Sequence, residues 1–151
     1  MSVAEIKRGK VDMTAPDVVT EMFAAYRTSL DSLEGKLGSA FSDAVDLLEG
    51  MSGTVVVCGM GKSGLVGAKI TATLTSTGTP SVFLHPAEAM HGDLGIVRKG
   101  DVIILISNSG ETEEITRLLP ALKRLAVRII ALVGTVDSTM ARASDIFLDA
   151  A

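Results

Sequence analysis

Five short runs in this chain are apolar at nearly every position: "TVVVC" (54–58), "SVFL" (81–84), "DVIILIS" (101–107), "VRIIALV" (127–133) and "DIFLDA" (145–150). A strand with one face in water alternates apolar and polar residues, whereas a strand covered by helices on both faces is free of that constraint. Stretches of helical character separate the runs: Lys62 to Thr77, Thr112 to Leu125, and a short one near Ser138 to Arg142, with a loop between the second and third runs. Strands alternating with crossovers form a parallel sheet, and right-handed crossovers favour a doubly wound one. The fold class that follows is α/β, a doubly wound five-stranded parallel sheet of flavodoxin-like order 2-1-3-4-5.

Two amphipathic helices lead in. Thr14 and Asp17 form a capping-box-like start, after which Val19, Met22, Phe23, Tyr26, Leu30 and Leu33 recur at helical spacing. In the second helix Leu37, Phe41, Val45 and Leu48 share one face, and Gly50 is the expected stop. The 151 residues thus read as one domain: a tail over 1–13, a helical lead-in over 14–50 and the α/β sheet over 54–151. The fifth run lies at the very end, so no helix follows to cover its second face, and that cover is expected to be missing or to come from another subunit.

A net charge of −4 argues against nucleic acid or an anionic membrane surface as partner, because such binding draws on clustered Lys and Arg. Cys58 is the only cysteine, which excludes a disulfide framework and a thiolate zinc site and fits a reducing cytoplasm. The start "MSVAEIKRGK" lacks the apolar core of a signal peptide, and no apolar run reaches the roughly 18 to 20 residues of a membrane span. A soluble cytoplasmic protein is expected.

In a sheet of this order the turns after the first and third strands flank the ligand crevice. The first turn is "GMGKSG", with Gly61 and Ser63 at its centre; the other is "SNSGET", carrying Ser107, Asn108, Ser109 and Thr112. Each leads into a helix, offering free backbone N–H groups and hydroxyls suited to a phosphate. Gly59, Gly61 and Gly64 have the spacing of a dinucleotide loop, but the acid that should hold the ribose after the second strand is absent, where His85 and Pro86 stand. A nucleoside-triphosphate loop needs a further glycine upstream, where Val56 and Val57 stand. Beside a bound phosphate, Lys62 is suited to neutralise charge or to stabilise a sugar oxyanion. Of the acids Glu111, Glu113 and Glu114, at least one is expected to face substrate, with Glu114 the candidate base. His85, Glu88 and His91 recur at steps of three in "HPAEAMHGDLG". Substrate contact by a histidine is preferred there over a metal site, and no metal is called. Cys58 reads as a buried small side chain without a catalytic role.

The stretches "GMGKSG", "STGTPSVFLHPAEAMHGDLG" and "SNSGETEEI", followed by "LKRLAVRIIALVG" and "STMARASD", closely resemble the sugar isomerase (SIS) domain of D-arabinose 5-phosphate isomerases. The resemblance implies an aldose-ketose isomerase acting on D-arabinose 5-phosphate and D-ribulose 5-phosphate through an enediol, toward the acidic sugar Kdo of lipopolysaccharide. It implies no cofactor, a homo-oligomer (a tetramer), catalytic roles for Lys62, Glu114 and His91, and phosphate contacts at Ser63, Ser107, Ser109 and Thr112. His85 and Glu88 remain as further substrate contacts. Members of the family continue through a further helical segment, which is not in this sequence. The alternative is a phosphosugar-binding regulatory module without catalysis.

Overall fold

The computed structural model describes residues 14–151; the expected tail over 1–13 lies outside them. The described chain divides into two compact units, the first ending at Lys36 and the second running from Leu37 to Ala151.

The first unit is helix α1 (Ala15–Lys36). Its start is the reciprocal cap foreseen from the sequence: the Thr14 N–H and hydroxyl both donate to the Asp17 carboxylate, at 2.9 and 2.6 Å, and the Asp17 N–H donates back at 3.4 Å. Those two donors hold the Asp17 carboxyl below its ordinary value. No residue of α1 is buried, and the apolar stripe from Val19 to Leu33 is exposed.

The second unit holds α2 (Ser39–Glu49) and the sheet. Strands β1 (Val55–Gly59), β2 (Ser81–Leu84), β3 (Val102–Ser107), β4 (Arg128–Val133) and β5 (Ile146–Asp149) are all parallel, in the order β2-β1-β3-β4-β5. The expected order and strand positions hold. Helix α3 (Gly61–Ser76) joins β1 to β2 and packs on one face, where Ile70 and Leu74 meet Val57, Ile104 and Ile130. The other face is closed by α4 (Pro86–Met90), α5 (Glu113–Thr116), α6 (Leu119–Leu125) and α7 (Thr139–Ala143). There Ala89, Ile115, Leu122 and Met140 pack on Ile103, Leu105 and Ile129. Each fully buried Leu or Ile contributes roughly 1.5–3 kcal/mol, so these two layers dominate stability.

One face of β5 is covered by the chain's own α2, with Leu47 and Leu48 in one cluster with Ile146 and Leu148, while Phe147 of the strand remains exposed. Three expectations need correction. The face of α2 turned to the sheet is Ala44, Leu47 and Leu48, whereas Leu37, Phe41 and Val45 are exposed. The helix carries two apolar stripes, and periodicity alone does not say which one the sheet takes. The single helix expected over Thr112 to Leu125 is broken into α5 and α6, for Pro120 lacks the N–H that a continuous helix would bond one turn back. Finally, the loop between β2 and β3 contains α4 and a 3₁₀ turn over Asp93–Ile96.

The end of β1 and the start of α3 approach each other closely, backbone to backbone. A Cβ added at Gly64 would stand 2.7 Å from the Gly59 carbonyl oxygen, and one at Gly59 would stand 2.9 Å from the Ser63 backbone. We expect Gly64→Ala to destabilise the fold by about 1–3 kcal/mol through this backbone clash, read as a lower urea midpoint at unchanged m-value.

Candidate functional site

The crossovers from β1 and from β3 run to opposite faces of the sheet, so a crevice opens between the carboxyl ends of these two neighbouring strands. At its first wall Met60 is extended, and Gly61 takes φ 56°, a left-handed backbone that suits glycine and lets the chain turn at once into α3. No side chain caps α3, so the N–H groups of its first turn are free of a side-chain acceptor. Lys62 is exposed there and Ser63 half-buried.

The second wall is the turn after β3. Gly110, at φ 65°, reverses the chain, and its N–H donates to the buried Ser107 Oγ at 3.0 Å. Ser107 Oγ also shares a 2.7 Å hydrogen bond with Thr112 Oγ1 and lies 3.5 Å from Ser109 Oγ, which accepts the Glu111 N–H at 3.2 Å. The three hydroxyls foreseen in this turn therefore form one linked cluster. Because α5 is a single turn, the cluster relies on local N–H and O–H donors more than on a helix dipole. Ser63 from the first wall and Ser107 and Asn108 from the second line one cleft of about 200 Å³, whose remaining side is apolar, with Val66, Ile106 and Leu132.

The acids after Ser109 have separate fates. Glu111 accepts the N–H of Thr139 at 2.6 Å, and Glu113 pairs with Arg117 one turn on. Glu114 is half-buried and makes neither kind of bond. Helix α4 packs beside α5, which brings the histidine segment next to the helix of Glu114. Within that segment His85 precedes α4 and His91 follows it, while Glu88 sits between them, exposed. The three therefore do not form one helical face. Among the described residues no group of three His, Cys, Asp or Glu side chains gathers as a metal site. His85 lies where β2 ends beside β1, and its Nδ1 is buried without a hydrogen-bond partner. His91 and Lys62 are exposed, and no bond joins either of them to Glu114.

A wider cleft of about 540 Å³ lies at the opposite end of the sheet, between Asp46, Met51, Lys99 and Arg128. The buried Asp101 beside it is spent on structure, accepting the N–H groups of Thr54 at 2.8 Å and Arg98 at 2.7 Å. That cleft contains neither turn and no uncapped helix start of the kind that α3 offers.

Sequence reasoning missed the segment after β4. The Gly134 N–H donates to the Asn108 carbonyl at 2.9 Å, and the Met140 N–H to the Gly110 carbonyl at 3.1 Å. The available signal was Gly134 itself, where an added Cβ would stand 2.4 Å from the Asn108 side-chain oxygen.

Fold and crevice together define a doubly wound α/β domain with a cleft at the β1/β3 switch point. Residues 51–151 match the SIS domain, and the chain belongs to that family. It is 53% identical over 124 residues to the arabinose 5-phosphate isomerase KdsD of Pseudomonas aeruginosa, covering 82% of this chain and 38% of that protein. To KdsD of Escherichia coli it is 52% identical over 128 residues, 85% of this chain and 39% of the relative. The chain thus spans about two fifths of the length of these curated relatives. A solved Escherichia coli structure in complex with arabinose 5-phosphate superposes with a TM-score of 0.78 at 40% identity, covering 91% of this chain and 75% of that one. No described helix is long and apolar enough to cross a membrane.

Two outcomes test this geometry. Burial pushes the Cys58 thiol up to about 12, so the folded protein should resist a thiol reagent at neutral pH and react only on unfolding; rapid labelling of the native state would contradict the placement. The Glu111 carboxyl is held below its ordinary value, first by the Thr139 N–H, then by the Thr139 hydroxyl, with Arg142 attracting and Asp137 opposing. A lowered native value favours the fold above the ordinary carboxylate range and loses that effect as pH falls through the lowered value. In a carboxyl-carbon NMR titration Glu111 should therefore protonate at lower pH than a glutamate in an unfolded peptide.

Proposed function

We propose that this chain is the sugar isomerase domain of an arabinose 5-phosphate isomerase, interconverting D-arabinose 5-phosphate and D-ribulose 5-phosphate. The observation that carries the proposal is the convergence of Ser63 from one turn with Ser107 and Asn108 from the other on a single cleft at the switch point. Free N–H groups at the start of α3 and a cluster of hydroxyls opposite suit a phosphate dianion. The name of the KdsD relatives and the sugar phosphate in the matching complex support this choice of substrate.

In this reading Gly61, Ser63, Ser107, Asn108, Ser109 and Thr112 hold the phosphate, and the open-chain sugar extends toward Lys62, His91 and Glu114. Glu114 is the base because its neighbours are committed elsewhere, Glu111 to Thr139 and Glu113 to Arg117. It takes the proton from C2 of the aldose and returns it to C1, while a proton moves from the C2 hydroxyl to the C1 oxygen. C2 is oxidised to the carbonyl and C1 is reduced to the alcohol, so the electrons balance within the substrate. Lys62 and His91 stabilise the negative charge that builds on the sugar oxygens of the enediol. His85 and Glu88 are second-rank substrate contacts.

The same reading gives the protein a cytoplasmic role toward lipopolysaccharide Kdo, and an assembly of identical subunits, a tetramer by family likeness. Support for assembly comes from the exposed apolar residues of α1 and from Phe41 and Val45 of α2.

Incubation with D-arabinose 5-phosphate followed by a ketose assay tests the proposal. Turnover is expected, and Glu114→Gln should lower kcat by about 10²- to 10⁴-fold with KM little changed. Binding of the sugar phosphate without any ketose, in a chain extended to the length of its relatives, would reject the enzyme and leave a sensing module. An active Glu114→Gln variant would reject the assignment of the base.

A further inference from the structure

The turn that carries Ser107, Ser109 and Thr112 is held in place from outside. The segment Gly134–Met140, between β4 and the first turn of α7, braces it at successive points: the Gly134 N–H on the Asn108 carbonyl, the Met140 N–H on the Gly110 carbonyl, and the Thr139 N–H on the Glu111 carboxylate at 2.6 Å. Two of these ties are backbone to backbone, and Ser138, fully buried, packs so tightly that a Cβ on Gly110 would stand 2.1 Å from its Oγ. Glu111 supplies the one tie made by a side chain of the turn itself, and so the one that a point substitution removes.

We propose that Glu111 is a positioning residue for the phosphate turn: by clasping the Thr139 N–H it fixes the bend at Gly110, and with it the spacing of the Ser107, Ser109 and Thr112 hydroxyls. It acts through these groups and does not touch the sugar. The chain of contacts is short. The Glu111 N–H is bonded to Ser109 Oγ and the Gly110 N–H to Ser107 Oγ, so any swing of the Glu111 backbone pulls on both hydroxyls. A free acid at this place would repel a phosphate; the clasp turns its charge onto α7, where Arg142 also attracts it.

The proposal rests on the reading that this turn holds the phosphate, and two measurements on the full chain separate the two claims. The first is hydrogen exchange at the Gly110 amide. In Glu111→Ala it should quicken by about tenfold, the scale of one hydrogen bond to a charged group, at nearly unchanged thermal midpoint. Glu111→Gln, whose amide oxygen still accepts the Thr139 N–H, should restore most of the protection. The second is calorimetric titration with D-arabinose 5-phosphate, inorganic phosphate and unphosphorylated D-arabinose. Glu111→Ala should weaken the first two by about tenfold and leave the third unaltered, whereas a general loss of structure would weaken all three. Unchanged Gly110 exchange in Glu111→Ala overturns the clasp whatever the ligand does. Faster exchange with unchanged phosphate affinity overturns the positioning role, and faster exchange in a parent protein that binds no phosphate keeps the clasp but removes the reading of the turn as a phosphate site.

Discussion

The backbone N–H groups in the first turn of α3 have no side-chain cap, and Gly61 and Lys62 there are exposed. Gly59 and Gly64 let the helix begin in direct contact with the end of β1, and Gly61 supplies the left-handed turn between them. Any β-carbon at the first two positions would push the helix away, and with it the donors that face the second turn. The parallel sheet then does the rest: it sets the ends of β1 and β3 side by side and sends their crossovers to opposite faces, leaving a gap that only a ligand or solvent fills.

On the other side of that gap the hydroxyls of Ser107, Ser109 and Thr112 are linked to one another before any ligand arrives. A preorganised cluster loses less entropy on binding than free side chains would. Its order comes from a distant part of the sequence, the segment after β4, which bonds to the turn at Asn108, Gly110 and Glu111. Phosphate recognition in this domain would thus depend on residues that never meet the phosphate.

Much of this was legible in the sequence because the relevant forces are local. Apolar runs without alternation specify covered strands, as β1, β3 and β4 are, and small-residue turns before helical stretches are local signals of helix starts. The structure agrees in the strand order and in setting a helix after each of the two turns. What was not legible depends on partners distant in sequence. Periodicity could not say which stripe of α2 the sheet would take, and the apolar pattern of Thr112 to Leu125 hid the break at Pro120. Equal spacing of His85, Glu88 and His91 suggested a shared helical face, yet the helix between them is too short and the histidines flank its two ends. Glu111 looked like any first-turn acid until Thr139 was found against it.

Amide chemical-shift mapping of the labelled protein during addition of D-arabinose 5-phosphate tests the central claim most directly. The two-turn account predicts the largest movements at Gly61, Lys62 and Ser63 together with Ser107 through Thr112, appearing at the same ligand concentration. Shifts confined to residues of the opposite cleft, such as Ser52, Lys99 and Arg128, with both turns unmoved, would contradict it.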